Sequence, residues 1–114
     1  VPMFLENKRQ LAALYQEAFQ NIDAIEFISE PESAKSNYWL NTLKLPLTMS
    51  QEEREALLAA AHQRGLMLRP AWHLLSDLPM YQDAPRMDLA STTLLARSLI
   101  NLPSSAFLVA AKKA

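Results

Sequence analysis

Arg69 and four aromatic residues, Tyr38, Trp39, Trp72 and Tyr81, are the side chains in this sequence best suited to hold a ligand. Arg69 stands directly before Pro70-Ala71-Trp72, and a guanidinium fork can grip a phosphate or carboxylate through two parallel contacts. The bland alternative is an ion pair with a neighbouring acid. Large aromatics beside loops build pocket walls, although the same residues serve equally as core or rim. Asn37 joins this group by position, in the run Asn37-Tyr38-Trp39.

Other chemistries find less support. His62 and His73 match no zinc-ligand spacing, and they read as a cation at a helix C-terminus and a loop hydrogen-bonder. With no cysteine in the chain, disulfides, thiolate metal sites and thiol nucleophiles are excluded. Gly65 is the single glycine, whereas a phosphate-cradling loop needs several so that backbone N–H groups can approach the anion. None of the serines sits in a nucleophile elbow. Glu52, Glu53 and Glu55 fall in the first turn of a predicted helix, where the macrodipole accounts for them. No catalytic, cofactor-binding or metal-binding residue is therefore assigned.

The balance of charges narrows the partners. Eleven Lys plus Arg against 12 Asp plus Glu leave a net charge of −1, without the basic excess that counterion release from nucleic acid requires. Half of the 114 residues are apolar and 20% are charged, as in a folded globular domain. No apolar run approaches the roughly 20 residues that span a bilayer. A cytoplasmic location is the expectation, with neither nucleic acid nor membrane as partner. The chain opens at Val1 and runs straight into a helical pattern, as a segment of a longer protein is expected to do.

The elements that must position these residues follow from periodicity. Leu11, Leu14, Tyr15, Ala18, Phe19 and Ile22 recur at helical spacing and predict a helix over 4–22. A short strand is expected over 24–28, ahead of Glu30-Pro31, and a second over 39–45, with Trp39, Asn41, Leu43 and Leu45 on one face. Ser50 with Glu53 forms a capping box opening a helix that Arg64 and Gly65 close. A third strand is expected over 66–69, stopped by Pro70; an irregular loop follows to Met87. Asp88 then caps a helix carrying Leu89, Thr92, Leu95, Ala96 and Leu99, before a turn at 102–105 and a short tail ending in Lys112, Lys113 and Ala114. The predicted class is α+β in one domain over 1–114, a small, mostly antiparallel sheet packed against helices.

Four stretches, KRQLAALYQEAF (8–19), KSNYWLNTLKL (35–45), RGLMLRPAWHLLSDLPMY (64–81) and ARSLINLPSS (96–105), give the chain its family character. In their order they resemble the DegT/DnrJ/StrS sugar-nucleotide aminotransferases, and within them the legionaminic- and bacillosamine-type branch. The resemblance implies the C-terminal small domain of an aspartate-aminotransferase fold, following a large domain that carries pyridoxal phosphate on a lysine. It implies a homodimeric enzyme that passes an amino group from glutamate to a keto-sugar nucleotide in surface-polysaccharide or nonulosonic-acid synthesis. None of Lys8, Lys35, Lys44, Lys112 or Lys113 matches the cofactor-lysine motif, so the chain alone is expected to bind no cofactor and to be inactive. On the same basis Asn37, Tyr38, Trp39, Arg69 and Trp72 are expected to line the sugar-nucleotide cleft.

A stand-alone interaction or nucleotide-sugar-binding module that kept the fold and lost the enzyme is the alternative. The two readings differ in surface: a domain of a larger enzyme exposes a broad apolar patch, whereas a self-sufficient module is polar throughout.

Overall fold

Alternation within Asn41-Thr42-Leu43-Lys44 and the run Leu99-Ile100-Asn101-Leu102 sets the centre of the molecule. The computed structural model describes residues 2–110; Val1 and the predicted tail at Lys112, Lys113 and Ala114 lie outside them. Strands β1 (Glu26–Phe27), β2 (Asn41–Lys44), β3 (Arg69–Pro70) and β4 (Leu99–Leu102) form a sheet in the order β1-β2-β4-β3. Every pairing is antiparallel.

Register places Asn41 opposite Leu102 and Leu43 opposite Ile100. Side chains alternate across a strand, so Leu43, Leu45, Ile100 and Leu102 share one face and form the buried cluster. Tyr15 and Phe19 from α1 (Pro2–Phe19) and Leu58 from α2 (Gln51–Gln63) pack on that face. The reverse face is polar: Thr42 Oγ1 donates to Asn101 Oδ1 at 2.8 Å, and Lys44 pairs with Glu26 at 3.3 Å.

Helix α2 has the ends its sequence predicts. Ser50 Oγ accepts from Glu53 N at 3.1 Å while the Glu53 carboxylate accepts from Ser50 N at 2.7 Å, closing the capping box. At the other end Gly65 takes φ +76°. Gly65 N donates to His62 O and Leu66 N to Ala61 O, both at 2.9 Å, the reciprocal pair of a Schellman cap.

Several predicted bounds move. Helix α1 stops at Phe19 instead of continuing to Ile22, because Asn21 and Asp23 favour a turn. The third strand lies at Arg69–Pro70, not 66–69, since the Schellman cap uses Leu66 N and a tight turn joins Leu68 N to Leu66 O at 3.0 Å. Pro70 is tolerated there because β3 is an edge strand. Helix α3 (Ala90–Ser98) ends one residue before Leu99, and Asp88 Oδ1 accepts from Ala90 N at 3.1 Å. Leu99 opens β4, which the sequence reading lacked, and α4 (Phe107–Ala110) follows the turn after it.

Candidate functional site

A cleft of about 730 Å³ opens where the residues preceding β2 meet edge strand β3 and the segment after it. Trp39 and Trp72 stand on its rim with ring centroids 6.3 Å apart and planes at 77°. This edge-to-face geometry lets the positive edge of one ring meet the negative face of the other. Both indoles remain largely open to solvent, 63% and 75% exposed. Arg69, His62, His73 and Ser104 also line the cleft.

Arg69 is exposed on β3, and its register partner is Asn101 on β4. Among the described residues two ion pairs form, Arg9–Glu30 and Lys44–Glu26; neither uses Arg69, so its guanidinium stays open to an anion in the cleft. His62 Nε2 donates to Leu68 O at 2.7 Å and ties the end of α2 to the chain entering β3. That bond gives His62 a structural employment, whereas His73 lines both this cleft and an adjoining apolar cavity of about 510 Å³.

Tyr38 and Trp39 diverge. Tyr38 adopts φ +46°, a left-handed conformation uncommon for a residue with a bulky side chain, and this turns it inward to 9% exposure. Its ring stacks on Phe27 at 6.4 Å, the Arg9 guanidinium lies 5.7 Å from its centroid, and its hydroxyl accepts from Glu30 N at 3.1 Å. Arg9 grips Glu30 through two contacts, 2.5 and 3.0 Å, and donates to Ser36 O at 2.7 Å. The Arg9 fork, helped by the Ser36 N–H, holds the Glu30 carboxyl down at a pKa of about 2, and Glu30 in turn raises that of Arg9.

Lys8, the neighbour of Arg9, donates to Trp39 O at 3.1 Å and Ser104 O at 2.7 Å. Asn37 Oδ1 accepts from Trp39 N at 3.0 Å. On β2, Asn41 is fully buried; its N and Nδ2 both donate to Ser104 Oγ, at 2.9 and 3.1 Å, and its Oδ1 lacks a partner among the described residues.

Of the five residues expected to line a cleft, the fold brings Trp39, Arg69 and Trp72 to one. Asn37 is exposed and bends the backbone just before it, and Tyr38 lies under the loop, against α1 and β1. Lys8, Arg9, Glu30, Asn101 and Ser104 belong to the site although the sequence did not single them out as site residues. Their contacts join residues far apart in the chain, and the Lys8-Arg9 dipeptide reads locally as a solvated helix face.

Pyridoxal phosphate requires a lysine amine free to reach its aldehyde, an aromatic over the ring and an acid at the pyridine nitrogen. Here Lys8 is spent on two carbonyls and Lys44 on Glu26. Among the described residues no lysine lines the clefts described above. Among the described residues no cluster of three or more His, Cys, Asp or Glu could hold a metal ion, and no helix is long and apolar enough to cross a membrane.

Comparison with known proteins adds to this geometry. The sequence pattern of the DegT/DnrJ/EryC1/StrS aminotransferase family matches residues 1–112. No curated protein sequence matches the chain. Among solved structures it superposes on the aminotransferase TlmJ from Streptoalloteichus hindustanus with a TM-score of 0.75 and 16% identity, over 90% of this chain and 26% of that one. The sugar aminotransferase CalS13 from Micromonospora echinospora gives 0.75 and 18%, over 90% and 26%. The E. coli GDP-4-keto-6-deoxy-D-mannose-3-dehydratase with bound hydrated PLP gives 0.70 and 12%, over 92% and 28%. At these identities the likeness is one of fold, and the chain spans about a quarter of each structure's length.

Proposed function

The chain belongs to the DegT/DnrJ/EryC1/StrS aminotransferase family, and we propose that it is the C-terminal, substrate-covering domain of a pyridoxal-phosphate sugar-nucleotide aminotransferase, inactive on its own. In this reading the rest of the enzyme supplies the cofactor lysine, and this domain supplies one wall of the substrate cleft. Trp39 and Trp72 offer faces for a sugar or base, Arg69 a fork for the diphosphate, and Asn37 and Tyr38 set the approach of Trp39. The amino group comes from glutamate, the working unit is a cytoplasmic homodimer, and the product belongs to the legionaminic- or bacillosamine-type sugars of surface polysaccharides.

One observation carries the choice of a domain over a free-standing module. A folded chain of 12.9 kDa exposes about 6,300 Å² by the usual mass scaling, and this one exposes 8800 Å². The excess is far larger than the roughly 800 Å² per partner of a standard interface. Much of it is apolar: Met3, Phe4, Trp72, Leu75, Met80, Met87 and Phe107 are all more than half exposed. A surface of this kind is covered in the working protein.

The coding sequence upstream of the Val1 codon tests the reading. Continuation in phase through a pyridoxal-binding lysine supports it, and the encoded protein should then convert glutamate to 2-oxoglutarate in the presence of a keto-sugar nucleotide. A stop codon there, with a start codon near Val1, would leave the free-standing module.

A further inference from the structure

We infer that Arg9, Glu30 and Tyr38 are positioning residues, a latch that fixes the backbone of residues 36–39 so that the Trp39 indole faces the cleft. The Trp39 ring has little packing to orient it, being 63% exposed with its aromatic contact made edge-on to Trp72. Its direction is therefore set by its backbone. That backbone is held from both sides, by Asn37 Oδ1 on its N–H and by Lys8 Nζ on its carbonyl.

Three residues upstream, at Ser36, the restraint is tighter. Ser36 N donates to Glu30 Oε2 at 2.5 Å, Ser36 O accepts from Arg9, and Ser36 Oγ accepts from Tyr38 N at 3.0 Å. Tyr38 is then driven into its left-handed conformation, a strained state that persists only where surrounding contacts over-determine it. The Phe27 stack, the Arg9 guanidinium and the Glu30 N–H do so. Sending Tyr38 inward leaves Trp39, the next residue, outside. When the latch opens, Tyr38 relaxes to negative φ and Trp39 leaves Trp72.

The orientation of Trp39 is measurable without any ligand; only the link to affinity rests on the proposed nucleotide-sugar cleft. The intact protein containing this chain is labelled with 5-fluorotryptophan, and the fluorine resonances of the two tryptophans of this chain are assigned through Trp39→Phe and Trp72→Phe. Arg9→Gln is expected to move the Trp39 resonance toward that of a free, solvated indole, and Tyr38→Phe to shift it in the same direction by less. The affinity for uridine diphosphate, used as the probe, should fall about tenfold in Arg9→Gln. It should fall little further when Trp39→Ala is added, because residues acting through one ring are not additive. A Trp39 resonance unmoved in Tyr38→Phe and in folded Arg9→Gln overturns the latch, as does full additivity of Arg9→Gln with Trp39→Ala. Should Arg9→Gln fail to fold, Tyr38→Phe decides alone, since it keeps the ring packing and removes one hydroxyl. Absence of uridine diphosphate binding in the wild type counts against the cleft reading, while the resonance still judges the latch.

Discussion

At the scale of single residues, the side chains proposed to hold a ligand are distinct from those that hold the loop. Trp39, Trp72 and Arg69 are exposed and contribute little to the fold. Replacing each with Ala in the intact protein should change stability by no more than about 0.5 kcal/mol. If the proposed function holds, the same replacements should raise KM for the nucleotide sugar about tenfold while kcat changes much less, because contacts remote from the reacting carbon act on binding first. A variant series that lost kcat with KM unchanged would place these residues at the chemistry instead. Glu30 belongs to the second group. Its carboxyl titrates at about 2 in the fold against an ordinary value of 4.5, so the stability it contributes is fully present above 4.5 and is lost as pH falls toward 2. Denaturant midpoints measured across that interval should decline in the wild type and decline less steeply in Glu30→Gln; parallel slopes would assign the acid sensitivity to other carboxyls. Tyr38 also marks where sequence reasoning ran short. Adjacent aromatics in Tyr38-Trp39 look equivalent in one dimension, and only the positive φ, imposed by partners as distant as Arg9, sends one inward and the other outward.

At the scale of elements, legibility followed locality. Helix α2 could be read from its ends because both caps are written within a few residues, Ser50 with Glu53 at one and Gly65 at the other. Each cap is testable by denaturant unfolding. Ser50→Ala should cost about 1 kcal/mol through the lost capping bond. Gly65→Ala should cost a similar amount, roughly 1 kcal/mol, through backbone conformation alone, since an added Cβ would meet nothing within 4 Å. A much larger loss at Gly65 would reveal a contact that the fold does not show. β2 was legible from its alternation, and β4 was not. Leu99 fits the helical stripe of α3 as well as it fits a strand, and β4 follows that helix without a turn residue to mark the change. What makes Leu99–Leu102 a strand is the pair of neighbours, β2 and β3, that it joins, and such long-range pairing leaves no local trace. Missing β4 also hid Asn101, the residue that sets Thr42 on one side and Arg69 on the other.

At the scale of the whole molecule, the open shape makes the strongest statement about how the chain works. Its radius of gyration is 16.1 Å, against about 13 Å for an ordinary domain of this length. The small cluster of Leu43, Leu45, Ile100 and Leu102 is the centre of a layer whose outward surfaces still carry large apolar side chains. An apolar groove of about 340 Å³ between the helices and the sheet, lined by Tyr15, Phe19, Leu57 and Leu68, reaches down to that cluster. A layer of this kind is stable when a second body lies against it, because uncovered apolar surface forgoes about 25 cal/mol for each Å² that burial would remove from water. The isolated 114-residue chain should therefore bind a hydrophobic fluorescent dye strongly, and amides in 71–89, where the chain is largely irregular and exposed, should exchange much faster than those of β2 and β4. In the intact protein the dye signal should fall and protection should extend into 71–89. An isolated chain that stays monomeric, binds no dye and protects 71–89 as well as the central strands would instead have a self-sufficient surface, and the free-standing module would then be the better account of the same fold.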